Sequence, residues 1–331
     1  MKQSGLVTNT YGLIKLIRIT VFSALIIFAC SLLFAQDDPV NTQLSIQVDY
    51  HYELIKFYLS EKEYDLALTY LDSTMTHPTD SLYFFKGEAL QGKKDWHGAA
   101  DSFAQTIISH RQQGILEAAV HELKQVLLNL SAMESISLLS EYMDNLQNDD
   151  ILLPFLFILA EIYEENQLFE EANDVYQTIL KETDYREKVP VKLRIATNLI
   201  FLKNFQQAIV TLKPVISLND SIYNEDALFF NYVASYSMED FLTAKKSLLR
   251  LYQEYPSHLK KNEILKGLAE LFEKENQLLM SWYFYRELRE SSSEAQKFIV
   301  QKEIDRIRLR LGNERILTDQ FRYFQPDFEK N

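Results

Sequence analysis

LAEIYEENQLFEEANDVY, residues 159–176, holds two amphipathic helical stretches on either side of a polar turn. Leu159, Ala160 and Tyr163 share one face of the first stretch. Phe169, Ala172 and Tyr176 share one face of the second, because residues three, four and seven apart lie on the same side of an α-helix. A slim side chain at Ala172 lets a neighbouring helix come close, while the large flanking residues fill the grooves beside it. Neither helix can bury its stripe alone, so the pair has to stack on others.

The same second helix recurs as Asp95-Trp96-x-x-Ala99, Asn204-Phe205-x-x-Ala208 and Asp240-Phe241-x-x-Ala244. Extending the register places a slim residue at Ala67, Ala99, Ser135, Ala172, Ala208, Ala244 and Ser281, with spacings of 32, 36, 37, 36, 36 and 37. Four residues beyond each stands a large one: Leu71, Phe103, Leu139, Tyr176, Leu212, Leu248 and Tyr285. Three residues before each come Tyr64, Trp96, Ala132, Phe169, Phe205, Phe241 and Leu278. Such a period marks a repeat architecture.

The pattern resembles the tetratricopeptide repeat (TPR) family, whose unit pairs a Gly or Ala and a Tyr on helix A with an aromatic and an Ala on helix B. The hairpin at 153–188 carries Leu159, Ala160, Tyr163, Phe169, Ala172 and Tyr176; that at 80–115 carries Tyr83, Gly87, Ala89, Trp96, Ala99 and Phe103. The hairpin at 225–261 carries Ala234, Asp240, Phe241, Ala244 and Pro256. Two hairpins depart, with Glu122-Leu123 and Asn231-Tyr232 where a large-then-small pair is expected. Pro154 and Pro190 sit in the first turn of helix A, where a missing N–H costs nothing. The resemblance implies an all-α chain: an α-solenoid, a right-handed superhelix of about seven hairpins. They span 48–79, 80–115, 116–152, 153–188, 189–224, 225–261 and 262–290, followed by a capping helix at 291–312 and an aromatic tail at 313–331. Ser291-Ser292-Ser293-Glu294 reads as a capping-box start for that helix, Val300, Ile304, Ile307 and Leu311 as its buried stripe, and Gly312 as its end.

Composition agrees with this reading. The chain has 331 residues, 47% hydrophobic and 13% aromatic, enough for a sizeable core. Eight glycines and seven prolines are about a third and a half of ordinary usage, too few for Gly-rich phosphate loops or a turn-rich sandwich. A net charge of −13 argues against nucleic acid as the ligand, because phosphate backbones call for a basic face.

The first 35 residues read as a targeting segment. Lys2, Lys15 and Arg18 precede an apolar run, Ile19 to Ala35, with no acid before Asp37. This is the layout of a cleaved export signal. The run also reaches the lower limit for spanning a bilayer, so an uncleaved anchor competes with it, and either places the bulk of the chain outside the cytoplasm. Ile27-Phe28-Ala29-Cys30 resembles a bacterial lipoprotein box, against which stand the bulk of Phe28 and the apolar residues after Cys30. Cleavage after Ala35 would remove three cations, taking the charge from −13 to −16, together with the sole cysteine. Residues 36–47 form a linker.

Chemistry-bearing motifs are absent from the sequence. His51, His77, His97, His110, His121 and His258 lack metal-ligand spacing and read as surface or turn residues. No phosphate-cradling or nucleophile-elbow motif occurs. Glu161, Glu164, Glu165, Glu170 and Glu171 read as solvated helix faces. No catalytic residue, cofactor or metal is expected.

In the resembled family the concave surface is built mainly from helix A, which implies partner contacts at Tyr52, Phe84, Val120, Phe157, Leu193, Phe229 and Lys266. Phe230 and Tyr236 enlarge that patch. Packing between adjacent A helices is the competing use of the same side chains. The Lys/Asn pattern with which chaperone-binding members hold a C-terminal carboxylate is missing. The expectation is an exported, non-enzymatic scaffold that takes a protein or peptide partner, an amphipathic or basic segment, and meets membrane only through its N-terminus. A sensor ectodomain held by residues 19–35 and an outer-membrane assembly lipoprotein acylated at Cys30 are the alternatives.

Overall fold

The computed structural model describes residues 51–74, 79–109, 113–146, 151–182, 188–218 and 222–312. The targeting segment 1–35 with Cys30, the linker 36–47, His77, Pro78, His110 and the tail 313–331 lie outside the described residues. The described residues form fifteen α-helices and no strand. Helix α1 covers 51–60, followed by α2 (Tyr64–Thr74), α3 (Asp80–Gly92), α4 (Trp96–Ile108), α5 (Gln113–Leu127), α6 (Ala132–Asp144) and α7 (Leu152–Glu165). Then come α8 (Phe169–Glu182), α9 (Lys188–Phe201), α10 (Phe205–Leu218), α11 (Asn224–Ser237), α12 (Phe241–Glu254), α13 (Lys261–Lys274), α14 (Leu278–Ser291) and α15 (Glu294–Leu311).

The chain divides into two compact units, one reaching Ile158 and one starting at Leu159. In the first, α2 packs on α3, α3 on α4 and α4 on α5, and α3 also touches α5. In the second, each helix from α8 to α15 packs on its successor, and α9 also touches α11. Contact between every other helix is what stacks one hairpin on the next. Each unit is thus a stack of TPR-like helical hairpins.

The slim residues stand at the centre of this packing. Ala67, Ala99, Ala172, Ala208, Ala244 and Ser281 are wholly enclosed, and Ser135 nearly so. The large residues four positions on are buried too, from Leu71 and Phe103 to Leu248 and Tyr285. Ser135 satisfies its hydroxyl by donating to the Leu127 carbonyl at 2.7 Å, while the buried Ser281 hydroxyl has no partner. Where the sequence puts Tyr232 in place of a small residue, the next helix A compensates. Gly267 on α13 faces it, and a Cβ there would stand 2.9 Å from the Tyr232 hydroxyl and 2.7 Å from a Leu248 methyl. Asn231, beside Tyr232, is buried and donates to Ser247 at 2.8 Å.

A shared turn joins helix A to helix B. Lys62, Lys94, Gln167, Lys203, Glu239 and Asn276 all have φ between 58° and 64°, and each stands five residues before the slim residue of its hairpin. The following amide reaches back five residues in every case, as in Asn204 N–H to Leu199 C=O at 2.7 Å and Asp240 N–H to Ser235 C=O at 2.9 Å. This is the Schellman closure, which satisfies carbonyls that a helix end leaves orphaned. Asp95 and Asp240 then cap helix B by accepting from the amides of Gly98 and Thr243. The hairpin of α5 and α6 departs: its turn has no left-handed residue, and Ser131 and Glu134 close it with a capping box.

The capping box expected at Ser291–Glu294 does not form. α15 starts at Glu294 with Ser293 as its N-cap, which puts Gln296, not Glu294, at the third helical position. The Ser293 hydroxyl donates to the Gln296 side chain at 3.2 Å instead. The expected stripe holds: Val300, Ile304 and Ile307 are buried, and Leu311 packs against the same cluster as Phe284 and Leu288.

Two substitutions test these constraints. Ala208→Leu forces a larger group into a closed crossing and should lower stability by about 1–3 kcal/mol; a urea midpoint equal to that of the parent removes the crossing argument. Lys203→Gly relieves a left-handed residue that costs roughly 1–2 kcal/mol, less about 0.5–1 kcal/mol of glycine entropy. The variant should melt higher than the parent, whereas Leu130→Gly, at the turn without positive φ, should melt lower.

Candidate partner-binding groove

Lys266 and Glu270 are one helical turn apart on α13, and with Asn262, Glu263, Glu273 and Lys274 they line one side of a cavity of about 770 Å³. The opposite side is α15, through Gln296, Ile299, Val300, Glu303, Arg306 and Arg310. Tyr285 and Leu288 of α14 form the floor, and Tyr236 of α11 borders the cavity. The floor is apolar and closed, since Tyr285, Leu288 and Val300 are buried, while Ile299 on the wall is 63% exposed.

Charge on the walls is balanced, with four carboxylates and four cations among the lining residues. Several are already engaged. Arg306 grips Glu273 through both terminal nitrogens, one contact at 2.7 Å, and its Nε donates to Glu303 at 2.8 Å. Arg310 also bonds Glu273. The Arg306 hydrogen bonds, with the charges of Arg306 and Arg310, hold the Glu273 carboxyl below its ordinary value. Burial, with Glu270, Glu273 and Glu303 nearby, pushes the Tyr285 phenol up. Lys274 places its ammonium 3.9 Å from the Phe241 ring centroid and 5.2 Å from that of Tyr236, a cation–π contact that keeps its charge at the rim. The Lys266 ammonium is 3.7 Å from Glu270 and mostly exposed.

The residues expected at partner contacts fall into three groups. Tyr52, Phe84, Val120 and Phe157 are half-buried; Tyr52 and Phe85 pack at 5.9 Å, and Phe84 stands edge-on to Phe103 at 5.5 Å. Leu193 and Phe229 are core residues, buried in clusters with Ala196 and Leu212 and with Leu248 and Leu265 respectively. They offer no surface, because neighbouring A helices close over them, and this corrects their assignment as anchors. Phe230 is half-buried against the same clusters. Only Tyr236 and Lys266 come together in the groove.

One other expectation changes, and one of the turn histidines is buried. Glu164 is not on a solvated face: its side chain is 13% exposed and meets Arg194 at 3.2 Å. Burial raises its pKa, with Arg194 opposing. His258 is a buried turn residue whose Nδ1 accepts from the Lys260 amide at 2.8 Å. Glu263 on α13 and Ile299, Arg306 and Arg310 on α15 are groove residues to which the sequence reading assigned no partner contact; the two arginines read only as facing away from the buried stripe. The i, i+4 pair Arg306 and Arg310 was the available signal.

No family model matches the chain, and no curated protein matches it. Solved structures similar to it include a tetratricopeptide repeat protein from Parabacteroides merdae, 14% identical over 73% of this chain and 97% of that one, with a TM-score of 0.45. The quorum sensor NprR from B. thuringiensis in its apo form is 14% identical over 91% of this chain and 95% of that one, with a TM-score of 0.35. The P58(IPK) TPR domain is 13% identical over 81% of this chain and 100% of that one, with a TM-score of 0.32.

Glu273→Gln tests the clamp between α13 and α15. A carboxyl with a lowered pKa in the folded state contributes fully above its ordinary value and loses that contribution as pH falls through the lowered one. The variant should therefore be less stable at pH 7, on the order of 1 kcal/mol given the half-exposed arginines. The difference should close as pH drops below the ordinary value of 4.5. A gap between the two urea midpoints that stays constant down to acid pH contradicts the assignment.

Proposed function

We propose that this chain is an exported, non-enzymatic scaffold that holds a segment of another protein along its A helices, with the groove between α13 and α15 as the principal seat. One observation carries the reading. An open cavity of about 770 Å³ lies on the helix-A face, with an enclosed apolar floor and walls bearing both signs of charge. An amphipathic segment suits such walls: its apolar side covers Tyr285, Leu288 and Ile299, and its charges meet Glu263, Glu270 and Lys266 at the rim. The half-buried Tyr52, Phe84 and Phe157 extend the same use of helix A to the N-terminal unit. Export is proposed from Lys2, Lys15 and Arg18 ahead of the apolar run 19–35. Among the described residues no helix is long and apolar enough to cross a membrane.

Ile299→Asp combined with Lys266→Glu alters two exposed wall residues and should leave far-UV circular dichroism unchanged. Cross-linked capture of partner from a native-host extract should fall by about tenfold or more, as loss of a central anchor does. Undiminished capture rejects the groove. Mass spectrometry of the purified N-terminus reads export. A chain beginning at Gln36 marks release, a membrane-bound chain beginning at Met1 marks an anchor, an acylated Cys30 marks a lipoprotein, and a cytosolic chain beginning at Met1 rejects the proposal.

A further inference from the structure

Three exposed large apolar side chains lie on α15, more than on any other helix among the described residues: Phe298 at 67%, Ile299 at 63% and Leu309 at 81%. Ile299 belongs to the groove wall. Phe298 and Leu309 do not. At about 100° per residue, they stand on the side of the helix opposite the buried stripe of Val300, Ile304 and Ile307. Lys302 and Asp305, both exposed, lie between them on that side. The order Phe298, Lys302, Asp305, Leu309 has spacings of four, three and four, the seam along which two helices pack on each other. α15 is also the last helix among the described residues, so no following hairpin there covers the seam.

We propose that this seam pairs with the same seam on a second copy of the chain, the two α15 helices lying antiparallel across a two-fold axis. The order of residues along the seam selects that partner. Turned end for end, it sets Phe298 against Leu309 of the second copy and Lys302 against its Asp305, and the two-fold repeats both contacts. A parallel pair instead sets Lys302 against Lys302 and Asp305 against Asp305, which like charges oppose. The pattern is therefore self-complementary in one direction only, as an isologous interface requires. Within one chain these charges are lightly held. Lys302 stands 4.7 Å from the Phe298 ring centroid. Asp305 accepts from Gln301 at 2.9 Å and meets Arg308 at 3.9 Å, an exposed ion pair of little worth that an intersubunit pair can replace. One helix pair is a small interface, which makes the association weak and concentration-dependent.

Sedimentation of the purified full chain in mild detergent reads the association, with the same N-terminal segment in every variant. The parent should pass from monomer to dimer between about 1 μM and about 1 mM, the range of weak specific contacts. Lys302→Asp and Asp305→Lys should each raise the dissociation constant about tenfold or more, because each sets two like-charge contacts across the axis. An equimolar mixture of the two variants should dimerise as the parent does, since every facing pair is again of opposite sign. Phe298→Asp combined with Leu309→Asp should leave a monomer. All four positions are exposed, so far-UV circular dichroism and urea midpoints should match the parent's throughout. A parent that stays monomeric hands the seam to another occupant and overturns the proposal. So does a dimer indifferent to either charge reversal or to the paired aspartates, or a mixture that associates no better than its components.

Discussion

Two α-helices can lie close together only where the side chains at their crossing are slim, and in this chain those positions are Ala67, Ala99, Ser135, Ala172, Ala208, Ala244 and Ser281, all enclosed. Close approach is what lets Leu71, Phe103, Leu139, Tyr176, Leu212, Leu248 and Tyr285 bury against the neighbouring helix, and burial of such side chains is the dominant favourable term in folding. Stability in a stack of this kind is a sum over neighbours. A bulky residue at one crossing is therefore tolerated only with a local answer, as Tyr232 is by Gly267 on the next helix.

The turns impose the second constraint. Six of the hairpin turns reverse direction through a left-handed residue at the helix end, and these six are lysine, glutamine, glutamate and asparagine, never glycine. Each accepts local backbone strain, offset by the amide that reaches back five residues. The one hairpin without such a residue solves the same problem with Ser131 and Glu134. The connection geometry is thus shared by hairpins whose turn sequences have little in common.

At the C-terminal end the stack finishes with α15, whose buried stripe covers the last hairpin while its other side faces α13. The gap between those two helices becomes a groove because Arg306 and Arg310 are tied to Glu273 at one end and Ser291 to Asn262 at the other. The same pairings engage Glu273, Arg306 and Arg310, while Lys266 and Glu270 pair at the rim of the groove.

The helices, their pairing and the crossing residues were legible in the amino-acid sequence, because a period of about 36 residues states which face of each helix must be buried. The stripe Val300, Ile304 and Ile307 was legible for the same reason. The groove was not. Whether Phe229 lines a surface or fills a core depends on how close Leu248 and Leu265 come to it, and that distance belongs to the packed stack. The burial of Glu164 beside Arg194, thirty residues away, and the joining of Arg306 to Glu273 across thirty-three likewise exist only once hairpins are stacked. Periodicity records the direction in which a side chain points; only tertiary packing decides what stands opposite it.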